Sequence, residues 1–249
     1  MKIALIQLNS IWQDIEANIQ QAENFILQTE KADLYILPEM WATGFCTADA
    51  KDASLALHWM ERIAKESLCA IAGSLPISKE NGKFANRFYF VTPASSSFYD
   101  KHHLFRFGSE DKNFERGHER KIVHFGGFRF LLQICYDLRF PVFSRNTNTD
   151  YDAIIYVACW PASRRPALDA LLTARAIENQ SYVICVNRTG DEKALHYDGG
   201  SCVISPEGKR VLDLGCSPTI QTTDISIEEL NSFRQKFPFL QDADAFQLL

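Results

Sequence analysis

LLQICYDLRFP, residues Leu131 to Pro141, is the stretch that decides the fold. Its first residues form an apolar run that suits a buried strand, and Cys135 stands where that run ends. Polar residues follow at once, so the strand must finish in a sharp turn. In layered α/β proteins, loops at such strand ends carry chemistry on a rigid support. A cysteine in a strand is usually only a small apolar filler, so the rest of the chain decides what Cys135 does.

Strand-like and helix-like segments alternate on both sides of this stretch. Strands are predicted over residues 2–8, 32–37, 68–75, 84–93, 97–101, 121–135, 151–160 and 181–186, with others near Val211 and Ile220 after a hairpin at 206–208. Helices are predicted over residues 14–30, 54–67, 167–180 and 227–236. This order indicates an α/β protein in which helices cover the sheets. A sandwich of two sheets fits, and periodicity alone does not distinguish it from one doubly wound sheet.

Length and charge narrow the class of protein. With 249 residues, 46% of them hydrophobic, the chain can bury a large core, and we expect one domain over residues 1–249. A net charge of -5 with scattered basic residues gives no electrostatic footprint for nucleic acid. The N-terminus lacks the features of a signal peptide, and no run approaches the roughly 18 apolar residues of a membrane span. We therefore expect neither nucleic acid nor a membrane as a partner.

The cysteines indicate a reducing compartment. They stand at positions 46, 69, 135, 159, 185, 202 and 216. This odd, dispersed set lies mostly in apolar segments, which favours reduced thiols in the cytoplasm over a disulfide framework. No Cys-x-x-Cys or His-x-x-x-His pair occurs, so no metal site is predicted.

Reactive side chains follow three strand-like runs: Glu39 after YILP, Lys101 after SFYD and Cys135 after FLLQI. Each alone is usually a loop or core residue, but their chemistry is complementary. A thiol must lose its proton to become a strong nucleophile, and a carboxylate can take that proton and return it to a leaving amine. A lysine ammonium and the backbone N–H of Tyr136 can stabilise the oxyanion. Asp137 and Arg139 are expected to brace the turn.

A Cys-His pair is the competing interpretation. The candidate histidines are His102, His103, His118, His124 and His196. None has a local pattern that pairs it with Cys135. His102 and His103 adjoin Lys101, so one of them could face the same pocket.

Three motifs together resemble the signatures of the nitrilase superfamily of carbon-nitrogen hydrolases, in order and spacing. They are LPEMWATGF at 37–45, YDKHHLF at 99–105 and CYDLRFP at 135–141. The strings CYDLRFPVFSRN, CWPASRR and LLTARAIENQSYVICVNRTG further resemble the ω-amidase branch. The resemblance spans almost the whole chain and implies a four-layer αββα subunit that forms a homodimer. The aromatic C-terminal segment 233–249 could pack on the partner subunit or on its own domain.

The resemblance also implies roles for individual residues. Glu39 is the general base, Lys101 stabilises the oxyanion, and Cys135 is the nucleophile. Glu110 matches a second glutamate that helps to position substrate and lysine, although the surrounding SEDKNFERG departs from the commoner pattern. The expected reaction passes through a cysteine thioester and needs no metal or organic cofactor.

The expected substrate is a small-molecule ω-amide of a dicarboxylic acid, such as 2-oxoglutaramate. Its distal carboxylate needs a cation or several N–H donors, for which Arg164, Arg165 and His196 are candidates. Phe45 and Trp160 are expected to form apolar pocket walls. Two alternatives stay open. One is another superfamily branch, which hydrolyses N-carbamoyl amines, deaminated peptide amides or nitriles, and the other is a catalytically silent interaction protein on the same fold.

Overall fold

A computed structural model of the protein describes residues 1–246. Within this range the strands are β1 (Lys2–Gln7), β2 (Leu34–Ile36), β3 (Ala70–Ser78), β4 (Phe84–Val91), β5 (Ser96–Asp100), β6 (Ile122–Phe125), β7 (Phe128–Ile134), β8 (Ala153–Ala158), β9 (Tyr182–Asn187), β10 (Thr189–Glu192), β11 (Leu195–Asp198), β12 (Cys202–Ile204), β13 (Arg210–Asp213) and β14 (Thr219–Asp224). The α-helices are α1 (Ile15–Gln28), α2 (Ser54–Ser67), α3 (Glu110–Asn113), α4 (Pro141–Ser144), α5 (Arg165–Asn179) and α6 (Ile227–Lys236). Short 3-10 helices lie at Arg106–Gly108, Cys135–Arg139, Ala162–Arg164 and Phe239–Asp242.

Two six-stranded sheets form the centre of the protein, with strand orders β14-β1-β2-β3-β4-β5 and β13-β12-β9-β8-β7-β6. In the first sheet β1, β2 and β3 are parallel, and in the second β7, β8 and β9 are parallel. The outer strands of both sheets are antiparallel to their neighbours. Parallel strands place their carboxyl ends at one sheet edge, where ligands usually bind. The residues that follow β7 and β8 therefore lie at the same edge.

Each sheet buries both of its faces. Ile3 of β1 belongs to the core between the sheets, whereas Ala4 contacts the layer formed by α1 and α2. In the second sheet, Leu132 of β7 faces the shared core and Leu131 packs on the side of α5. This alternation, with a period of two residues, places helices outside both sheets. The architecture is a four-layer αββα sandwich, which confirms the predicted fold and excludes a single doubly wound sheet.

Most predicted elements are present, with shifted ends. The helix predicted over residues 14–30 spans Ile15–Gln28, and the Asp14 side chain caps it by accepting a hydrogen bond from Ala17 N at 3.0 Å. The β10–β11 hairpin at 189–198 was not predicted, because its sequence TGDEKALHYD lacks an alternating apolar pattern. Among the helices within residues 1–246, none is long and apolar enough to cross a membrane.

Candidate active site

Strand β7 delivers Cys135 to a strained turn. Cys135 adopts a φ of +44°, in the left-handed region that costs a non-glycine residue about 1–2 kcal/mol. A 3-10 helix begins at the same residue, so the chain leaves the strand direction immediately. The half-buried Cys135 side chain lies on the wall of a cavity of about 270 Å³.

The buried Asp137 carboxylate braces this turn, as expected. It accepts hydrogen bonds from Ile134 N at 2.9 Å, from Tyr99 Oη at 2.8 Å and from His103 N at 2.9 Å. Tyr99 belongs to β5, and His103 lies in the loop just beyond Lys101. Asp137 therefore fixes the strand end that carries Lys101 against the turn that carries Cys135.

Four polar side chains form a charged floor beneath the cavity: Glu39, Asn86, Lys101 and Glu110. All four are 0% exposed. Lys101 Nζ donates to Glu39 Oε1 at 2.7 Å and to Glu110 Oε2 at 2.9 Å. Asn86 Nδ2 donates to Glu39 Oε1 at 2.8 Å and to Glu110 Oε1 at 3.0 Å. The two carboxylates are thus bridged twice.

Backbone N–H groups complete the charged floor. Cys159 N donates to Glu39 Oε2 at 2.9 Å, and Phe105 N donates to Glu110 Oε2 at 2.6 Å. The Cys159 thiol also donates to the Glu39 carbonyl oxygen at 3.1 Å. Each carboxylate oxygen therefore has a hydrogen-bond donor, which buried charges require.

Charge interactions fix the protonation of Lys101. Burial disfavours its ammonium form, but the carboxylates of Glu110 and Glu39 outweigh burial and raise its pKa. Burial raises the pKa of Glu110, with a further contribution from Glu39, and Lys101 opposes this only in part. The ammonium form of Lys101 is therefore favoured.

The surroundings of Cys135 favour the protonated thiol over the thiolate. Burial raises its pKa well above the ordinary value, and the nearby Glu39 carboxylate raises it further. Lys101 and the backbone N–H of Cys159 lower it only in part. Formation of the thiolate is therefore disfavoured unless a base takes the proton, and Glu39 is the carboxylate close enough to raise the pKa of this thiol.

The cavity wall contains most of the residues that the sequence pointed to. Phe45, Tyr136, Trp160 and Arg164 all line it, together with Lys101 and Cys135. The Phe45 ring centroid lies 5.4 Å from Lys101 Nζ. The structure thus brings Lys101, Cys135 and the expected apolar walls to one cavity, whereas Glu39 and Glu110 are not among its lining residues and contact Lys101 from below.

His196 is not among the residues that line this cavity, so the structure gives the predicted contact between His196 and substrate no support. Its side chain is 65% exposed, and its Nδ1 lies 2.8 Å from Asp191 Oδ1. Leu195 and Tyr197, its neighbours on β11, line the cavity instead. Successive side chains of a strand point to opposite faces, so His196 faces away.

The two histidines beside Lys101 also lie outside the cavity lining. His102 Nδ1 lies 2.8 Å from Gly117 O, and His103 Nδ1 lies 2.8 Å from Asp137 Oδ1. Both rings stack on aromatic side chains of the segment after Cys135. These histidines support the loop, and neither pairs with the Cys135 thiol.

Arg165 and Arg139 both differ in position from what the sequence led us to expect. Arg165 forms ion pairs with Asp169 at 3.0 Å and Asp198 at 3.2 Å, so its charge is already neutralised. Arg139, expected to brace the turn, lines the cavity with its Cζ 4.7 Å from the Trp160 ring centroid. No local sequence pattern separates these two cases.

Sequence reasoning missed Asn86 and Cys159. Asn86 interrupts the aromatic strand β4, FANRFYFV, and a polar residue inside such a run is a usable signal for a buried hydrogen-bonding role. Cys159 acts mainly through its backbone N–H, for which the side-chain pattern gives no signal.

Comparison with known proteins agrees with this architecture. The carbon-nitrogen hydrolase family model matches residues 2–235. The Escherichia coli (strain K12) protein named ω-amidase YafV is 42% identical over 100% of this chain and 98% of its own, and a Bacillus subtilis (strain 168) protein named 2-oxoglutaramate amidase is 30% identical over 96% of each chain. A crystal structure of a CN-hydrolase superfamily protein from Xanthomonas campestris, described with an arsenic adduct in its active site, superposes with a TM-score of 0.95 at 37% identity, over 100% of this chain and 99% of that one. These matches confirm the predicted superfamily and branch: the chain belongs to the carbon-nitrogen hydrolase family.

Proposed function

We propose that the protein is an ω-amidase that hydrolyses the terminal amide of small dicarboxylic acid monoamides, such as 2-oxoglutaramate, to an acid and ammonia. The observation that carries this proposal is that the Cys135 thiol opens on the same cavity as Lys101, whose ammonium is held by two buried glutamates. The names of the relatives from E. coli and B. subtilis support the substrate class. We assign the whole reaction to one domain over residues 1–249.

The first half-reaction forms a thioester. Glu39 takes the thiol proton as the Cys135 sulfur attacks the amide carbon, because burial and the Glu39 charge raise the pKa of the thiol and so disfavour a free thiolate. The Lys101 ammonium and the Tyr136 N–H, near the start of a 3-10 helix, stabilise the oxyanion. Glu39 then gives its proton to the departing nitrogen, the C–N bond breaks, and ammonia leaves.

The second half-reaction releases the acid. Glu39 takes a proton from water as the water oxygen attacks the thioester carbon, and the C–S bond then breaks. The proton returns from Glu39 to the Cys135 sulfur. Glu110 holds Lys101 in place throughout, and Phe45 and Trp160 form the apolar walls. Every proton transfer uses a side chain of the protein or water.

The test compares ammonia release from 2-oxoglutaramate by the unmodified protein and by Cys135→Ala. We expect a loss of at least about 10³-fold, because the nucleophile is removed. Cys216→Ala is the matched control, since that thiol is exposed, and it should retain full activity. Turnover by Cys135→Ala near the unmodified rate would end the assignment. Faster turnover of an N-carbamoyl amine, a deaminated peptide amide or a nitrile would contradict the proposed substrate class.

We further propose that the protein is a cytoplasmic homodimer. All seven cysteines are unpaired, which suits a reducing compartment. Phe239 is 63% exposed and Phe246 is 42% exposed, and with Val142 they form the apolar part of a groove whose other lining residues include Arg145, Asp242 and Asp244; we propose that a second subunit covers this groove. Residues 247–249 of the predicted dimer segment lie outside the described residues. Sedimentation velocity on Phe239→Ser tests the dimer, which this change should weaken.

A further inference from the structure

The cavity contains several charged side chains, and most of them already have a partner. The charged residues that line it are Lys101, Arg139, Arg164, Glu192 and Lys193. Lys101 is held by Glu39 and Glu110 in the charged floor. Two cations, Arg139 and Arg164, differ from the rest.

Glu192 and Lys193 each contact a residue that is not among those lining the cavity. Glu192 forms an ion pair with Arg188, whose side chain is 1% exposed. Lys193 Nζ lies 4.5 Å from the ring centroid of Trp12. The charge of Glu192 is therefore neutralised, and Lys193 is an exposed cation whose ring partner, Trp12, is not among the residues that line the cavity.

Arg139 and Arg164 contact aromatic rings. Within residues 1–246, neither guanidinium forms an ion pair with a carboxylate, although other arginines of the chain do. Arg139 Cζ lies 4.7 Å from the Trp160 ring centroid, and Arg164 Cζ lies 5.4 Å from that of Phe105. Both arginines are half-buried.

Trp160 connects the two arginines on one wall of the cavity. Its ring contacts the Arg139 guanidinium, and its Nε1 donates to the Arg164 carbonyl oxygen at 2.9 Å. We call Phe105, Arg139, Trp160 and Arg164 the arginine wall. A guanidinium that contacts a ring through its face keeps its in-plane N–H donors, which match a carboxylate.

We infer that Arg139 and Arg164 together bind the carboxylate of the substrate and so orient it, an inference that rests on the proposed function. The charged floor carries two carboxyl groups against one ammonium, so it repels an acid group whenever both are ionised. The arginine wall attracts that acid group. The neutral amide end is then directed to Cys135, and the ligand class is a short amide that carries a carboxylate at its other end.

Binding is measured without turnover in the Cys135→Ala protein, by calorimetric titration with 2-oxoglutaramate. On this background, Arg139→Met and Arg164→Met should each weaken binding about 10- to 100-fold, because each removes charge-assisted hydrogen bonds. Arg106→Met is the matched control: its side chain is 84% exposed and outside the cavity lining, so binding should be unchanged. If a methionine variant does not fold, Arg139→Gln and Arg164→Gln replace it with the same expectation. Unchanged binding in both arginine variants would overturn the inference.

The active enzyme gives a second readout. With 2-oxoglutaramate, both arginine variants should raise KM and change kcat little, whereas hydrolysis of butyramide, which has no carboxylate, should not be impaired. If both variants release ammonia with an unaltered KM, the arginines do not bind the substrate carboxylate. The ω-amidase proposal would stand in that case. If binding depends on the two arginines but the unmodified enzyme releases no ammonia, the proposed function is wrong. The role of the arginines in carboxylate binding would still stand.

Discussion

The charged floor and the arginine wall hold charged groups in opposite ways, although they face one cavity. In the floor, Glu39, Lys101 and Glu110 are 0% exposed, and Lys101 donates hydrogen bonds to both carboxylates. In the wall, Arg139 and Arg164 are half-buried and contact aromatic faces. Charges that act on a transition state must be positioned in advance, whereas charges that bind a ligand must keep their donors available.

The floor behaves as one unit because of this burial. Taking an ion out of water is costly, and only a close partner with further hydrogen bonds repays that cost. Asn86, Cys159 N and Phe105 N supply those bonds to the two glutamates. Removal of one charge from the floor therefore leaves a buried charge without its partner. Removal of one arginine from the wall leaves no carboxylate within residues 1–246 without its partner.

Lys101→Met should produce the largest effect. It leaves two buried carboxyl groups without their cation, which we expect to cost about 3–5 kcal/mol of the free energy of unfolding, in addition to activity. Urea denaturation measures this loss. Lys2→Met, which breaks the exposed pair with Glu30, should change stability little. Equal losses in the two variants would contradict the distinction between the floor and an ordinary ion pair.

Glu39→Gln should separate catalysis from thiol acidity. Loss of the general base should lower kcat by about 10²- to 10⁴-fold. The Glu39 carboxylate raises the pKa of the Cys135 thiol by repelling the thiolate, so its removal should lower that pKa. The rate of iodoacetamide labelling of Cys135, followed by mass spectrometry against pH, should therefore rise at a lower pH in the variant. A shift to higher pH would show that Glu39 does not act on this thiol as described.

Asp137→Asn tests the link between the turn and the strand end that carries Lys101. An amide cannot accept all the hydrogen bonds that Ile134 N, Tyr99 Oη and His103 N now donate. We expect a loss of about 1–3 kcal/mol in stability together with a lower kcat. Tyr99→Phe removes one donor and should have a smaller effect on both. An Asp137→Asn protein with unchanged stability and kcat would show that this carboxylate braces nothing.

Trp160→Leu should give the smallest effect, confined to the wall. Loss of the ring contact with Arg139 should weaken substrate binding by about 0.5–2 kcal/mol, seen as a higher KM with little change in kcat. Trp160→Phe keeps a ring for Arg139 but loses the donor to Arg164 O. Its KM should therefore lie between that of the unmodified protein and that of Trp160→Leu. A loss in kcat as large as that of Glu39→Gln would erase the distinction between wall and floor.

Local sequence was informative wherever one segment fixes its own structure. The apolar run before Cys135 predicted β7, and the pattern from Ile227 to Lys236 predicted α6 with the observed ends. The β10–β11 hairpin was not predicted because only Thr189 and Tyr197 among its strand residues are buried, and so sparse a buried set gives no apolar alternation. Patterns therefore found the buried elements better than the exposed ones.

The positions of individual polar side chains were harder to predict from the sequence. His196 and Tyr197 are adjacent in sequence, yet only Tyr197 lines the cavity, because a shift of one residue along a strand reverses the face. Asn86 is separated by dozens of residues from Glu39, and their contact exists only because β2, β3 and β4 are neighbours in one sheet.

The sequence by itself determined the layered α/β class, through apolar periodicity, and it marked Glu39, Lys101 and Cys135, through the residue types that follow apolar runs. Only the tertiary structure decided which charges neutralise one another and which are left for a ligand. Lys101 pairs with two glutamates, whereas Arg139 contacts the Trp160 ring and forms no ion pair within residues 1–246, and nothing in either local sequence distinguishes the two cations. The physical reason is that burial and charge pairing depend on distances between strand ends that lie far apart in the chain.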